Sequence, residues 1–255
     1  MKNRLGEIKY NTFGSKMVIT KYNNARDINV YFPEYDWTYE NTFYDNFNKG
    51  QIKCPYEPRL FDRGYIGEGK YKGNKYNYIY RIWVNIFERC YHDQYGGIAY
   101  MGCEVCKEWY NFQNFAQWYE ENYYEIEGER ICVDKDILNK GNKVYSPNNC
   151  IIVPNCINVL FVKNKSTRGN LPIGVYLYRN GKKYKAQCNN GKGKQIPLGT
   201  FDTPHEAFYV YKDFKENLIK QIANQYRNQI PYKLYKAMHE YKVEINDWQL
   251  DKVMV

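Results

Sequence analysis

The chain has 255 residues, of which 44% are hydrophobic and 25% charged, so it can bury a core and is unlike a disordered tail. Its longest aliphatic run, residues 151–153, is far shorter than a membrane span, and residues 1–10 are too charged for a secretory signal. The composition therefore predicts roughly two or three compact units in the cytoplasm, with no membrane partner and with the cysteines reduced.

The positive charge of the chain is concentrated in one stretch. The sequence carries 37 basic and 28 acidic residues, a net charge of +9, and no acidic residue lies between positions 163 and 201. That stretch holds Lys163, Lys165, Arg168, Arg179, Lys182, Lys183, Lys185, Lys192 and Lys194. Basic residues interleaved with tyrosines predict a surface for a polyanion, most naturally nucleic acid. A basic surface that is merely solvated is the alternative interpretation.

Short alternating segments characterise residues 1–66. Apolar and polar side chains alternate over residues 17–22, 27–32 and 37–44, and Asn, Pro and Gly residues separate the three segments. The pattern predicts a small β-rich module. A Gly- and Lys-rich linker is predicted to follow it at residues 68–75.

From Tyr78 the hydrophobic period becomes helical. Apolar residues recur at spacings of three and four over residues 79–87, which predicts a helix that ends near Cys90. A second amphipathic helix is predicted over residues 109–119, after a Gly-Gly loop at 96–97. The aromatic stripe of this second helix indicates core packing rather than a platform for stacking bases.

A strand, a loop, a second strand and a helix are predicted in the middle of the chain. Residues 130–137 alternate like a strand, residues 139–149 have the Gly, Pro and Asn content of a loop, and residues 150–153 form a second strand. Pro154 is suited to open a helix that runs through Phe161.

Strand patterns return after Gly169. Strands are predicted at residues 174–178, 182–188 and 196–201. The turns between them are predicted at Asn180-Gly181 and at residues 190–194.

A helix is predicted after the last of these strands. Thr203 and Glu206 have the spacing of a capping box, and Pro204 lies in the first turn. The apolar side of this helix is expected to carry Ala207, Phe208, Val210 and Tyr211. Residues 219–255 are predicted to form an amphipathic helix that is interrupted near Pro231.

Four segments between Trp83 and Asn158 resemble the phage-type HNH homing endonucleases, in a branch without the usual first histidine. They are ERCYH at 88–92, EVCKEWYNFQNF at 104–115, VDKDIL at 133–138 and YSPNNCIIVPNCIN at 145–158. The resemblance implies a ββα-metal core, in which two strands and a helix hold one divalent cation, Mg or Mn, and which nicks or cuts DNA. The order predicted above for this region agrees with such a core.

The resemblance also assigns roles by position. Asp134 is the first-strand metal ligand, Asn158 is the metal ligand on the helix, and Asn149 is the loop residue that helps to fix the general base. Lys135 stands where the family commonly has a histidine base. A lysine with a pKa of about 10.4 is protonated at neutral pH, so it would contact a phosphate or stabilise developing charge instead.

Of the three histidines in the sequence, His92 is the candidate to reach this core as the base. Asp136 is the other candidate for the base or for a second metal carboxylate. In a regular strand Asp134 and Asp136 share one face while Lys135 points away, so periodicity favours a carboxylate pair. The family alignment favours instead Asp134 acting beside Lys135. Without the resemblance, the same residues would be an ordinary charged strand edge.

A structural zinc site is a further expectation. Cys103 and Cys106 have the C-x-x-C spacing of half a zinc motif. The candidates for the remaining ligands are Cys90, Cys150, Cys132 and His92. Buried thiols are the alternative interpretation.

The segment from Leu171 to about Lys215 resembles the DNA-binding domain of the plant APETALA/ethylene-response-factor type. The matching residues are IGVYLY at 173–178, KKYKAQ at 182–187 and LGTFDTPHEAFYVY at 198–211. The resemblance implies double-stranded DNA as partner, with the three-stranded sheet in the major groove. By position, the contact strands carry Tyr176, Tyr178, Tyr184 and Gln187, and the residues available for phosphates are Arg179, Lys182, Lys183 and Lys185.

We therefore expect an α+β protein of four parts. A β-rich accessory module, itself a candidate for DNA binding, is predicted at residues 1–66, and an HNH-like nuclease core at 67–165. A DNA-binding module with a three-stranded sheet and a helix is predicted at 166–218, and a helical tail at 219–255. The N-terminal module is similar to accessory domains that precede phage HNH cores.

The expected function is metal-dependent DNA hydrolysis without a small-molecule cofactor, in a bacterial host cell if the chain is phage-encoded. One alternative is a DNA-binding regulator or inhibitor with a catalytically silent core, which Lys135 favours. A structural or interaction protein with a basic face is a third interpretation.

Overall fold

The structure is a computed structural model of the chain. It describes residues 4–93, 100–162, 170–179, 181–191, 193–245 and 247. The chain is a mixed α and β protein, which agrees with the predicted α+β class. It divides into two compact units, one formed by residues 1–92 with 105–117 and the other by residues 93–104 with 118–255.

The first unit begins with an antiparallel sheet in which four strands follow one another in chain order. The strands are β1 (Ile8–Tyr10), β2 (Lys16–Asn24), β3 (Asp27–Phe32) and β4 (Trp37–Thr42), followed by helix α1 (Tyr44–Asn48). Alternate residues such as Ile28, Val30 and Phe32 are buried together with Phe47 of α1. The strand prediction is thus confirmed for β2, β3 and β4, whereas the pattern did not predict β1 and α1.

Two helices complete the first unit, and the second of them continues past the boundary at residue 117. They are α2 (Tyr78–Tyr91) and α3 (Phe112–Asn122), with the short strand β5 (Glu104–Val105) and a 3-10 turn at Lys107–Tyr110 between them. The side chain of Asn77 accepts hydrogen bonds from the backbone of Ile79 and Tyr80 and caps α2. The prediction for α2 is confirmed to within one residue.

The second predicted helix, residues 109–119, begins three residues late and ends three residues late. Asn111 Oδ1 accepts a hydrogen bond from the Gln113 N–H at 3.0 Å, so the helical turn forms only after Asn111. The indole N–H of Trp83 donates to the Trp109 carbonyl at 2.7 Å, which fixes the 3-10 turn in front of α3.

The predicted linker at residues 68–75 is irregular, but it is not a free spacer. The buried amide of Gln113 donates to the carbonyls of Ile66 and Tyr71 at 3.0 and 2.9 Å. Its oxygen accepts from the Tyr71 N–H at 3.1 Å. The composition of this segment did not reveal the tether, because the residue that provides it lies about forty positions further along the chain.

The second unit contains the strand, loop, strand and helix predicted for the middle of the chain. These elements are β6 (Ile131–Asp134), the two-residue strand β7 (Val144–Tyr145), β8 (Ile151–Pro154) and α4 (Asn155–Asn158). Strands β6 and β8 are antiparallel, and Asp134 lies opposite Ile151.

Helix α4 is shorter than predicted. After Asn158, the N–H groups of Leu160 and Phe161 donate to carbonyls three residues earlier, at 2.9 and 3.1 Å. Bonds of this type tighten the chain into a 3-10 turn, so the α-helix does not reach Phe161.

A three-stranded antiparallel sheet follows, as predicted. Its strands are β9 (Val175–Tyr178), β10 (Lys183–Asn189) and β11 (Gln195–Phe201), with β10 in the centre. The predicted turns at Asn180-Gly181 and 190–194 involve Asn180 and Lys192, which lie outside the described residues, as does the predicted loop at 96–97.

Two helices end the described chain, α5 (Pro204–Gln225) and α6 (Tyr232–Glu240). The capping box of Thr203 and Glu206 is confirmed, and Pro231 is the residue before α6, so the predicted interruption is confirmed as well. The prediction for Val210 is wrong, because this residue is 37% exposed. The buried row of α5 includes Tyr211, and Val210 is turned about 100° away from it around the helix.

Helix α5 is shared between two hydrophobic clusters. Its first half, with Phe208 and Tyr211, packs on the inner face of the β9–β11 sheet. Its second half, with Ile219 and Ala223, packs in a cluster with side chains of β8, α4 and α6. Within the described residues, no helix combines the length and hydrophobicity required to cross a membrane.

Candidate functional site

Asp134 is the last residue of β6, and its carboxylate ends the strand. Oδ1 accepts hydrogen bonds from the backbone N–H groups of Asp136 at 2.8 Å and Ile137 at 2.7 Å. An aspartate that bonds to backbone two and three residues ahead turns the chain out of its extended path. Oδ2 accepts no hydrogen bond from the described residues.

Burial raises the pKa of the Asp134 carboxyl. The two backbone N–H groups oppose this effect, and the charge of Asp136 adds to it. The charged form of a desolvated carboxylate is stabilised by a positively charged partner, because such a partner offsets the cost of desolvation.

Lys135 has its ammonium group inside the protein, where it is bonded to other residues of the chain. The phosphate contact stays a prediction. The residue is 5% exposed. Its Nζ donates to Asp136 Oδ2 and to the Asn142 carbonyl, each at 2.8 Å. Both bonds direct the ammonium group away from solvent.

The pKa of Lys135 is raised even though burial alone would lower it. The hydrogen bond and the charge of Asp136 outweigh desolvation. Lys135 is therefore protonated at neutral pH and is not a general base. Cys103, whose own pKa is raised by burial, also interacts with this ammonium group.

Asp136 lies beyond the strand on which periodicity placed it beside Asp134. Strand β6 ends at Asp134, so the alternation of a regular strand does not extend to Asp136. The Asp136 side chain is 48% exposed and its Oδ2 is bound to Lys135. Its Oδ1 accepts no hydrogen bond from the described residues.

Asn149 belongs to a network of three asparagines in the loop between β6 and β8. Its Nδ2 donates to Asn142 Oδ1 at 3.1 Å, and its Oδ1 accepts from Asn139 Nδ2 at 3.1 Å. Asn142 Nδ2 donates in turn to the carbonyls of Lys135 and Val144 at 3.0 and 2.8 Å. The network therefore connects Asn149 to the buried lysine.

Asn142 and Asn139 were not among the residues that the sequence singled out. Their only signal is the high Asn content of residues 139–149, which is equally typical of any turn. A network of this kind depends on the way the loop folds back, and a local pattern does not encode that path.

Asn158 is the last residue of α4 and is partly buried. Helix α4 contacts both β6 and β8. Within the described residues, the Asn158 side chain has no hydrogen-bond partner, so its amide oxygen is available to a ligand.

The oxygen atoms of Asp134 and Asn158 match the chemistry of a hard divalent cation. Magnesium is bound through one or two carboxylates together with waters and substrate phosphates rather than by a full protein cage. The second oxygen of Asp134 is available for such a bond. Among the described residues, no group of three or more His, Cys, Asp or Glu side chains is arranged to hold a metal.

The cysteines of the predicted zinc site are free thiols in the structure. Cys103 and Cys150 are buried, while Cys90 and Cys106 are partly buried. Burial raises the pKa of the Cys103 and Cys106 thiols, which opposes the thiolate form that binds zinc. Zinc binding stays a prediction.

The outer face of the C-terminal sheet carries most of the predicted DNA contacts. Along β10, Lys183, Lys185 and Gln187 alternate with residues that face the helix. Tyr176 and Tyr178 of β9 lie directly opposite Lys185 and Lys183. The five side chains therefore share one surface, the outer sheet face.

Tyr184, which was also predicted to contact DNA, does not lie on the outer sheet face. It packs against the cluster that includes Val175, Ala186 and Phe208, on the face that α5 covers. Because side chains alternate along a strand, Tyr184 and Lys185 cannot both face outward. Tyr184 therefore lies partly buried on the inner face of the sheet.

The remaining predicted phosphate ligands lie at one end of the outer sheet face. Arg179 and Lys182 are exposed, and the guanidinium of Arg179 is 5.5 Å from the ring centre of Tyr178. Lys183 forms an ion pair with Asp202. Four of the basic residues predicted to bind a polyanion lie outside the described residues, namely Lys163, Lys165, Arg168 and Lys192.

Comparison of the chain with models of protein families, with curated proteins and with solved structures finds no match. The function is therefore inferred from these residues and their geometry.

Proposed function

We propose that this chain is a metal-dependent DNA endonuclease of the phage HNH type, with a ββα-metal core at β6, β8 and α4. The observation that carries the proposal is the partly buried carboxylate of Asp134, which keeps one oxygen available at the end of β6. Asn158 offers an amide oxygen on the helix that contacts the same strand.

Asp134 and Asn158 would hold a divalent cation, Mg or Mn. When bound, the cation polarises the scissile phosphate and stabilises the leaving oxygen. Two oxygen ligands leave the remaining coordination positions to water and DNA.

Asp136 is the proposed general base. Lys135 holds its Oδ2 in place, while Oδ1 faces no donor among the described residues. Asp136 accepts a proton from water, the water oxygen forms a bond to phosphorus, and the bond from phosphorus to one bridging oxygen breaks. The leaving oxygen takes up a proton from solvent. Lys135 and Asn149 are positioning residues in this scheme.

The outer sheet face is proposed to dock on double-stranded DNA. The major groove is wide enough for a β-ribbon, so Tyr176 and Gln187 would approach base edges while Lys185 and Arg179 contact phosphates. Contacts of this kind release counterions, and the affinity should therefore fall steeply as salt increases.

Supercoiled-plasmid cleavage tests the proposal. The plasmid carries DNA from the source genome, and each reaction contains magnesium, manganese or a chelator. Asp134→Asn is the sharpest variant, because the amide oxygen can still accept the two backbone bonds that shape the turn while the negative charge is lost. Asp62→Asn, at an exposed position, is the matched control.

We expect metal-dependent nicking or linearisation by the wild type and the Asp62 variant, with a loss of at least about 100-fold in Asp134→Asn. Cleavage by Asp134→Asn at the wild-type rate would contradict the assignment of the metal ligand.

A DNA-binding regulator or inhibitor with a catalytically silent core is the second candidate function. The observation that favours it is the burial and protonation of Lys135 at the position where the resembling family has its base. Salt-sensitive DNA binding without cleavage under any metal condition would identify this function.

A further inference from the structure

A groove in the second unit lies beside the candidate nuclease site. Its volume is about 570 Å³, and it runs between α6 and the chain that leaves β6. The residues from the chain after β6 are Ile137, Leu138, Asn139 and Lys140, and those of α6 include Lys233, Lys236 and Glu240.

Two residues of the groove wall are bonded directly to the candidate site. Ile137 donates its backbone N–H to Asp134 Oδ1 at 2.7 Å. Asn139 donates to Asn149 Oδ1 at 3.1 Å. A ligand lying in the groove would therefore pass within one residue of two proposed functional side chains.

The charges of the groove favour an anion. Lys140, Lys233, Lys236 and Lys242 line it, against Glu240 and Glu244. The ammonium group of Lys140 already has partners within the protein, because it forms an ion pair with the buried Asp247 and donates to the Lys242 carbonyl at 2.7 Å. Lys242 is paired as well, since its Nζ is 3.4 Å from Glu216 Oε2. The charges available to a ligand are therefore those of the lysines on α6.

Lys233 and Lys236 are the most available of these charges. Both are exposed, and Lys233 has no ion-pair partner among the described residues. Lys236 Nζ is 3.8 Å from Glu240 Oε1, an exposed pair that contributes little to stability.

Lys233 and Lys236 also point the same way along α6. Side chains three positions apart lie on one side of a helix, about 5–6 Å from each other. Leu234 and Met238, on the opposite side, are fully buried. The helix thus anchors itself through its apolar side and presents two lysines to the groove.

We infer that this groove binds the sugar–phosphate backbone of double-stranded DNA and guides the cleaved strand past Asp134 and Asn149. The inference rests on the proposed function and adds a second contact surface, separate from the outer sheet face. An open groove with two exposed lysines on one side of α6 suits a polyanion, since backbone contacts position the duplex without reading its sequence.

The test measures DNA affinity as a function of salt, by fluorescence anisotropy with a labelled duplex. The groove variant is Lys233→Gln with Lys236→Gln. The matched control removes two exposed lysines of the first unit outside residues 1–66, Lys72→Gln with Lys107→Gln. A third protein, Lys233→Arg with Lys236→Arg, keeps the charges. Thermal unfolding of each protein establishes that it is folded.

We expect the groove variant to lower the slope of log affinity against log salt by about 2, because each lost phosphate contact removes about 0.9. Between about 50 and 200 mM salt, the wild-type affinity then falls about tenfold more than that of the variant. The arginine protein should retain the wild-type slope, and the control should change it little.

The outcomes separate the groove inference from the proposed nuclease function. If the wild type binds and cleaves DNA but the groove variant behaves like the control, the groove inference is overturned and the proposed function stands. If the wild type shows no salt-sensitive binding to DNA, both are overturned. An equal loss in the groove and control variants would show a net-charge effect only, which also overturns the groove.

Discussion

Lys215 is a buried lysine on α5 that the proposed mechanism does not use. It is 7% exposed, and burial lowers its pKa, an effect that the nearby Cys188 thiol only partly opposes. Among the described residues it has no carboxylate partner. A charge in this position costs stability, because desolvation is not offset by a hydrogen-bonded anion.

Replacing Lys215 by methionine should therefore stabilise the protein at neutral pH, by about 1–3 kcal/mol, the range measured for a buried polar group without a partner. The gain depends on pH. Because the folded pKa lies below the ordinary lysine value, the unfolded chain binds more protons between those two values, and wild-type stability rises with pH there.

The measurement is urea unfolding of the wild type and Lys215→Met from pH 7 to pH 10.5. The difference in unfolding free energy should shrink as the pH rises through this window. Lys220→Met, on the same helix, is the control. A gain that is constant with pH would mean that packing, not the buried charge, causes it.

For individual residues, the sequence predicts which side chains belong to the candidate site better than it predicts what those side chains contact. Asp134 lies on the predicted strand, but this strand ends at Asp134 and not at residue 137 as the alternation predicted. The alternation does not reveal that its carboxylate caps two backbone N–H groups, nor that Lys135 turns inward to Asn142. Both contacts depend on a loop that folds back, and no periodic pattern describes such a path.

Helix α5 shows what the sequence predicts well at the scale of an element. Thr203 Oγ1 accepts the Glu206 N–H at 3.2 Å, and Glu206 Oε2 accepts the Thr203 N–H at 3.2 Å. These bonds join residues three positions apart, so the sequence contains everything needed to predict them. The end of α4 is the opposite case, because the sequence pattern continued to Phe161 whereas the chain tightens into a 3-10 turn after Asn158.

Thr203→Ala should lower the unfolding free energy by about 1 kcal/mol, because a backbone N–H at the helix start loses its acceptor. Thr203→Ser keeps the hydroxyl and should be close to wild type. Urea unfolding followed by circular dichroism measures the difference. Thr200→Ala, an exposed position on β11, is the control. Equal effects of the alanine and serine changes would contradict a role of the hydroxyl bond.

At the scale of the whole chain, the boundary predicted at residue 218 falls inside α5. The helix continues because buried residues recur along one side through Tyr211, Lys215, Ile219 and Ala223. Periodicity identifies this side, but it does not reveal that its two halves enter different clusters. The predicted tail from residue 219 thus contributes side chains to the cluster that includes Ile151 and Val153 of β8.

Because α6 packs in the same cluster as β8 and α4, it should stabilise the candidate site. Leu234 and Met238 are fully buried in the cluster that also contains Val153 and Ile157. Replacing a buried leucine by alanine costs about 2–5 kcal/mol, because a cavity remains. Since β8 pairs with β6, the loss should reach the strand that carries Asp134.

We therefore expect Leu234→Ala to speed amide hydrogen exchange in β6 and β8, although no residue of α6 belongs to the proposed catalytic set. Leu177→Ala, at an exposed position of β9, removes the same atoms without leaving a buried cavity and serves as control. Exchange measured by mass spectrometry under native conditions reports the two strands directly. If Leu234→Ala lowered global stability but left the exchange of β6 and β8 at wild-type rates, α6 would not stabilise these two strands. If exchange accelerates as expected, α6, which the sequence predicted only as a tail, stabilises the strands that position Asp134.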